Sequence, residues 1–126
     1  MEKKIIITDK APAAIGPYSQ AVKIDRLVFV SGQIPIDPSS GDIIKGDIQA
    51  QTRQVLNNLK AVLAAAGSSL DKVVKTTLFI TRMVDFPRVN EVYAEFFPEQ
   101  PPARACVEVS ALPKGVDVEA EAVAFC

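Results

Sequence analysis

Pro101-Pro102-Ala103-Arg104-Ala105-Cys106-Val107-Glu108-Val109, followed shortly by Val116-Asp117-Val118-Glu119-Ala120-Glu121-Ala122-Val123-Ala124-Phe125, decides how this chain is read. Residue character alternates strictly along both stretches, and a β-strand sends every second side chain to the same side of its sheet. On the first, Ala105, Val107 and Val109 share a side, with Arg104, Cys106 and Glu108 opposite. On the second, Val118, Ala120, Ala122 and Ala124 share a side, with Glu119 and Glu121 in one row with Val123 and Phe125. Between them, Ser110-Ala111-Leu112-Pro113-Lys114-Gly115 contains Pro and Gly, so a hairpin is the expected connection. Matching the apolar sides fixes the pairing parity, because a slip of one residue turns every side chain over. One compatible register sets Ala105 against Ala122 and Val107 against Ala120. That register places Cys106 across from Glu121, with Arg104 one diagonal step away. A fixed guanidinium beside a carboxylate can hold a small carboxylic acid and aim a water at it.

Working outward, Ile5-Ile6-Ile7 reads as a short first strand, and Ala11 to Tyr18 as a loop bounded by Pro and Gly. Ser19 to Ile24 and Leu27 to Ser31 read as strands joined tightly at Asp25-Arg26. Asp47 or Gly46 caps a helix whose Ile48, Thr52, Val55, Leu56, Leu59, Val62, Leu63 and Ala66 recur at helical spacing, with Gly67 as its stop. Val73 to Thr81 is rich in β-branched residues. Asp85 opens a second helix with Phe86, Val89, Val92, Tyr93, Phe96 and Phe97 on its apolar side, and Pro98 ends it. The order is three strands, helix, strand, helix, two strands. This predicts one α+β domain over residues 1–126, a single sheet with both helices on one face.

The other face is apolar too. Leu27, Phe29, Val73, Phe79, Val123 and Phe125 are expected there, with Val28, Val30, Val74 and Leu78 under the helices. No segment remains for a second layer, and an apolar sheet face of this size is not left in water. Packing against further copies of the chain is the expectation; the alternative is that the N-terminal strands fold over the face.

Composition narrows the chemistry. The chain has 126 residues, 48% hydrophobic, with a net charge of -1 and no basic run beyond Lys3-Lys4, so no patch for nucleic acid is expected. The start lacks the apolar stretch of a signal peptide and no run approaches a membrane span, which predicts a soluble, cytoplasmic protein without a membrane partner. Two cysteines, Cys106 and Cys126, make neither a disulfide framework nor a C-x-x-C pair. With no histidine, Ser-His-Asp and Cys-His nucleophilic machinery and imidazole metal sites are excluded. No glycine pair has the spacing that cradles phosphate. Catalysis, if any, rests on Arg, Glu, Asp, Tyr, Lys, Ser, Thr, backbone groups and water.

Several stretches in order, from Ala13-Ala14-Ile15-Gly16-Pro17-Tyr18-Ser19-Gln20 and Val30-Ser31-Gly32-Gln33-Ile34-Pro35 through Val74-Lys75-Thr76-Thr77 and Asp85-Phe86 to Tyr93-Phe96-Phe97, resemble the Rid family of reactive intermediate deaminases, the YjgF-like proteins. Pro102-Ala103-Arg104, Leu112-Pro113-Lys114-Gly115 and Glu119-Ala120-Glu121-Ala122 are similar to its signature. Ala120 departs from it where many relatives have a larger aliphatic residue, and Pro101 where an aromatic often stands. The resemblance implies a chorismate-mutase-like fold in a homotrimer, sheets lining a central barrel and sites in clefts between subunits. It implies hydrolysis of 2-iminobutanoate and 2-iminopropanoate, released by pyridoxal-phosphate dehydratases, to 2-oxo acids and ammonia. No cofactor or metal is implied.

By the same resemblance, Arg104 clamps the substrate carboxylate, Glu121 positions and activates the attacking water, and Cys106 contributes backbone groups rather than a thiolate. Tyr18, Ser31, Gly32 and Asn90 match residues near the ligand, Tyr18 being open to contribution from an adjacent chain. Glu119 is read as structural. From pattern alone, Arg104 could equally pair with Glu108 or Glu119. Other readings are a small-carboxylate-binding trimer or regulator without turnover, an endoribonuclease and a chorismate mutase; the acidic balance and missing histidine count against the second, and a single arginine against the third.

Overall fold

The computed structural model describes all 126 residues. Its strands are β1 (Lys3–Ile6), β2 (Ala21–Ile24), β3 (Leu27–Gln33), β4 (Val73–Ile80), β5 (Ala103–Glu108) and β6 (Val118–Phe125). Helix α1 (Ile48–Ala65) lies between β3 and β4, and α2 (Phe86–Phe96) between β4 and β5. The expected succession of elements is present. Asp47 caps α1, its carboxylate accepting from the Gln49 N–H at 2.9 Å. Gly67, at φ 82°, ends that helix in the left-handed region where a side chain would be strained.

The six strands form one mixed sheet in the order β1-β2-β3-β6-β4-β5. The expected C-terminal hairpin is absent. β6 pairs antiparallel with both β3 and β4, and β5 pairs parallel with β4 on its far side. A parallel neighbour requires a crossover, which α2 provides. The segment after β5 then steps over the end of β4, turning at Pro113–Gly115 with Lys114 at φ 59°. Asp117 secures this return. Its Oδ1 accepts from Thr81 Oγ1 at 3.1 Å and its Oδ2 from Gln51 Nε2 at 2.9 Å, while its N–H donates to Gln51 Oε1 at 3.0 Å.

Both helices cover one face, as the pattern predicts. Val55, Leu56, Leu59, Val62 and Leu63 of α1 and Val89, Val92 and Tyr93 of α2 are buried with Val28, Val30, Leu78, Ile80, Val118, Ala120, Ala122 and Ala124 of the sheet. Each fully buried Leu or Val contributes about 1.5–3 kcal/mol of transfer free energy. The alanines of β6 let a helix lie close over the centre of the sheet.

The opposite face stays uncovered. Leu27 pairs with Phe125 and Phe29 with Val123, and Leu27, Phe29, Val107 and Phe125 are each 42–45% exposed. β1 and β2 extend the sheet edge instead of folding over this face. One assignment is reversed: Val73 is buried on the helix side and Val74 is exposed, because the β4–β6 register shifts between Val73 and Lys75. A bulge inserts a residue and breaks strict alternation, which residue parity cannot register. No helix is long and apolar enough to cross a membrane.

Leu78 is fully buried on a strand with neighbours on both sides. Leu78→Ala should lower the unfolding free energy by about 2–5 kcal/mol in urea titrations.

Candidate active site

Register decides where each polar group of the last two strands goes. Thr76 lies between Arg104 on β5 and Ala122 on β6, and Leu78 between Cys106 and Ala120. Thr77 lies between Ala105 and Glu121, and Phe79 between Val107 and Glu119. Thr76, Leu78, Ala120 and Ala122 are buried under the helices, so Arg104 and Cys106 share the helix face. Glu119 and Glu121 point away from it. Within one chain, therefore, Arg104 and Glu121 stand on opposite sides of the sheet, and the direct Cys106–Glu121 pairing does not occur. Inserting β4 between β5 and β6 is the cause, since it removes the hairpin that would have matched their apolar sides.

Arg104 sits at the open rim between β5 and α2. Its guanidinium carbon lies 4.7 Å from the centroid of the Tyr93 ring and 5.2 Å from that of Phe86. One Nη1–H donates to Asn90 Oδ1 at 2.7 Å. The ion pairs of the chain, Arg53–Glu95 and Arg88–Asp47, leave Arg104 without a carboxylate. Glu108 is engaged elsewhere, its Oε1 accepting from the Met83 N–H at 2.6 Å. A guanidinium has five N–H donors in one plane, so most of this fork is free for an anion. Phe86, Asn90 and Tyr93 follow at helical spacing on one side of α2, which is why they converge on a single side chain.

Cys106 stands beside this rim. The N–H of Val109 donates to the Ile80 carbonyl at 2.8 Å. In a parallel ladder alternate residues face the neighbouring strand, so Ala105 and Val107 turn their backbone groups toward β4. Arg104 and Cys106 direct theirs off the free edge. The Cys106 thiol packs against the core, and burial pushes it up despite the opposing pull of the Arg104 charge. Such a thiol does not ionise readily, while the Cys106 backbone groups lie open along the free edge of β5.

A separate cavity of about 500 Å³ opens at the ends of β3 and β6. Tyr18, Ser31, Gly32 and Glu119 line it, with Lys114 and the apolar Ile15, Ile34 and Ile36. Buried Gln20 organises the loop that carries Tyr18: its Oε1 accepts from the Thr8 N–H at 2.8 Å and its Nε2 donates to the Pro12 carbonyl at 2.8 Å. The Ser31 hydroxyl donates to the Ser19 carbonyl, so its proton holds the same loop. On the opposite wall, Asn58 Nδ2 donates to the Ile34 and Ile36 carbonyls at 3.0 and 2.9 Å.

Glu119, read from the sequence as structural, is the carboxylate in this cavity, and Glu121 is exposed outside it. Gly32 makes its berth: a Cβ there would come within 2.1 Å of Glu119 Oε2. Burial pushes the Glu119 carboxyl above its ordinary value, with repulsion from Glu121 adding to the rise. A glycine inside a strand was the available signal, since it marks a close approach. Which carboxylate approaches it depends on how β6 registers against β3.

Arg104, Asn90 and Cys106 thus form one cluster, and Tyr18, Ser31, Gly32 and Glu119 another.

Residues 8–126 match the family model described as Endoribonuclease L-PSP. A RutC family protein of Pyrococcus abyssi is 55% identical over 125 residues, covering 99% of this chain and 98% of that protein. The 2-iminobutanoate/2-iminopropanoate deaminase of Mus musculus is 51% identical over 122 residues, covering 97% and 90%. The crystal structure of E. coli TdcF with bound serine superposes with a TM-score of 0.94 at 48% identity, covering 98% of each chain. A Rid family protein from Yersinia pestis gives 0.95 at 52%, covering 99% and 100%. The chain belongs to the endoribonuclease L-PSP family, the Rid family its motifs resemble.

A carboxyl whose folded-state value lies above its unfolded value binds more protons folded than unfolded in the interval between them. Stability therefore falls as pH rises through that interval. Removing the Glu119 charge should relieve the loss: Glu119→Gln is expected to show a higher urea midpoint than the wild type at neutral pH. The difference should vanish below the ordinary glutamate value of 4.5.

Proposed function

We propose that this protein hydrolyses 2-imino acids, 2-iminobutanoate and 2-iminopropanoate among them, to 2-oxo acids and ammonia. The observation that carries the proposal is the Arg104 fork: partly buried, held by two ring faces and Asn90, and free of any carboxylate in its own chain. An arginine kept in that state suits a small carboxylate ligand, which it can grip with two parallel charge-assisted hydrogen bonds. The names of the mouse and human relatives support the reaction, and bound serine in TdcF supports a small amino-acid-like ligand.

The complete site is formed between protomers. The Arg104 cluster and the Glu119 cavity occupy opposite faces of one sheet, so they meet only when the β5 edge of one copy faces the cavity of another. The uncovered apolar face supplies the drive for association. The assembly is a homotrimer of the chorismate-mutase-like kind, with Tyr18 and Glu119 contributed to the Arg104 of the adjacent protomer.

In this site Arg104 holds the carboxylate, and the Cys106 backbone meets the polar groups next to it. The cationic iminium carbon is already electrophilic, so a strong base is not needed. Glu119 accepts a proton from water as the oxygen adds to C2, giving an amino alcohol. It then returns the proton to nitrogen, and as the C–N bond breaks and ammonia leaves, the Glu119 carboxylate takes the hydroxyl proton so that the carbonyl forms. A carboxyl raised by burial is suited to both transfers. Glu121 acts at a distance, through its charge. The substrates are products of pyridoxal-phosphate dehydratases, and the chain itself requires no cofactor.

Semicarbazide trapping of a dehydratase-generated imine tests the reading. Wild-type protein at substoichiometric amounts should divert imine to free 2-oxo acid with many turnovers. Arg104→Ala should lose at least about 100-fold of that rate, the scale of a lost charged contact to substrate. Diversion that only matches the protein added would instead mark a carboxylate-binding trimer without turnover, and unchanged rates in Arg104→Ala would remove the clamp. Sedimentation should give a trimer mass, and Phe29→Lys, which buries a charge in the uncovered face, should shift it toward monomer.

A further inference from the structure

Arg104 is a long, flexible side chain on an edge strand, yet no carboxylate holds it. We infer that Tyr93 is the positioning residue that fixes the Arg104 guanidinium for its anionic ligand, through its ring face and through its tether to Thr76. This rests on the reading that Arg104 grips a carboxylate, and it adds the means by which the fork is kept in place while staying free.

Three contacts close a ring around the guanidinium. Thr76 is the register partner of Arg104 on the adjacent strand. Its Oγ1 lies 2.7 Å from the Tyr93 hydroxyl, both groups being buried. The Tyr93 ring lies 4.7 Å from the Arg104 guanidinium carbon. Strand pairing, hydroxyl bond and cation–π contact thus connect Arg104, Thr76 and Tyr93. Phe97 backs the tyrosine, their ring centroids 4.6 Å apart, and Tyr93 itself is only 5% exposed. The ring therefore has nowhere else to go.

The chemistry explains why rings hold this arginine. A carboxylate would take up the in-plane N–H donors and neutralise the charge. An aromatic ring attracts the flat face of the guanidinium through its quadrupole and leaves the donors in the plane unoccupied. Asn90 takes one donor from the helix side, and the remainder face outward. The fork is pre-organised, so less conformational entropy is lost when a carboxylate docks.

Calorimetric titration with 2-oxobutanoate tests the inference. Tyr93→Leu should weaken binding roughly five- to thirtyfold, the range of a partly desolvated cation–π contact, and Tyr93→Phe should restore most of it by returning the ring. In an Arg104→Ala background Tyr93→Leu should cause no further loss, because the tyrosine acts only through the arginine. Wild-type affinity in Tyr93→Leu, or the same loss without Arg104, would overturn the inference. Should Tyr93→Leu fail to fold, Phe86→Leu isolates the Tyr93 ring: an upfield ring-current shift of the Arg104 side-chain protons kept in that variant supports the inference, and its loss there overturns it. If the wild type binds no 2-oxobutanoate, the functional reading fails separately. The ring-current shift of the Arg104 side-chain protons then decides this inference: an upfield position that is lost in Tyr93→Leu, where Phe86 is intact, supports it, and a shift kept in Tyr93→Leu or unshifted signals in the wild type overturn it.

Discussion

The insertion of β4 between the two C-terminal strands governs the rest of the structure. β6 pairs with β3 on one side and β4 on the other, and β5 is left at the edge beyond β4. Ladder hydrogen bonds fix which side chains share a face, and the pairing cannot slip without exposing the alanine row of β6 to water. Arg104 and Cys106 are thereby assigned to the helix face, Glu119 and Glu121 to the open one. The Gln51–Asp117–Thr81 contacts hold the entry to β6 where this arrangement requires it.

Two consequences follow from that single pairing. An edge position gives β5 a free row of backbone groups beside an unneutralised arginine, which suits ligand capture. A central position brings Glu119 onto Gly32, where burial raises its carboxyl, as the proposed proton transfers require. Under the proposed reaction, neither half is complete by itself. One chain holds the Arg104 fork and the Glu119 carboxyl on opposite sides of a sheet, so assembly is part of the proposed chemistry as well as a way to cover apolar surface.

The supports differ in kind between the two halves. Around Arg104 they are rings, which orient a charge by its face and leave its donors open. Around Glu119 they are amide side chains that fasten loops: Gln20 ties the segment leading to Tyr18, and Asn58 ties Ile34 and Ile36. Every buried side-chain polar atom finds a partner in this way, which keeps the polar architecture compatible with a dense core.

Local sequence determined a good deal of this protein. The helical spacing from Ile48 to Ala66, the Asp47 cap and the Gly67 stop, the β-branched run from Val73 and the two-sided apolar strands all depend on neighbours a few residues away, so they could be read directly. The alternation along β5 also placed Arg104 and Cys106 on one side of their strand, where the structure has them. Tertiary structure alone decided that Pro113–Gly115 leads over a strand instead of closing a hairpin, that a bulge turns Val74 outward, and that Glu119 occupies the cavity while Glu121 does not. Those outcomes turn on which distant strands share hydrogen bonds, and alternation along a single strand has the same appearance whichever neighbour it acquires.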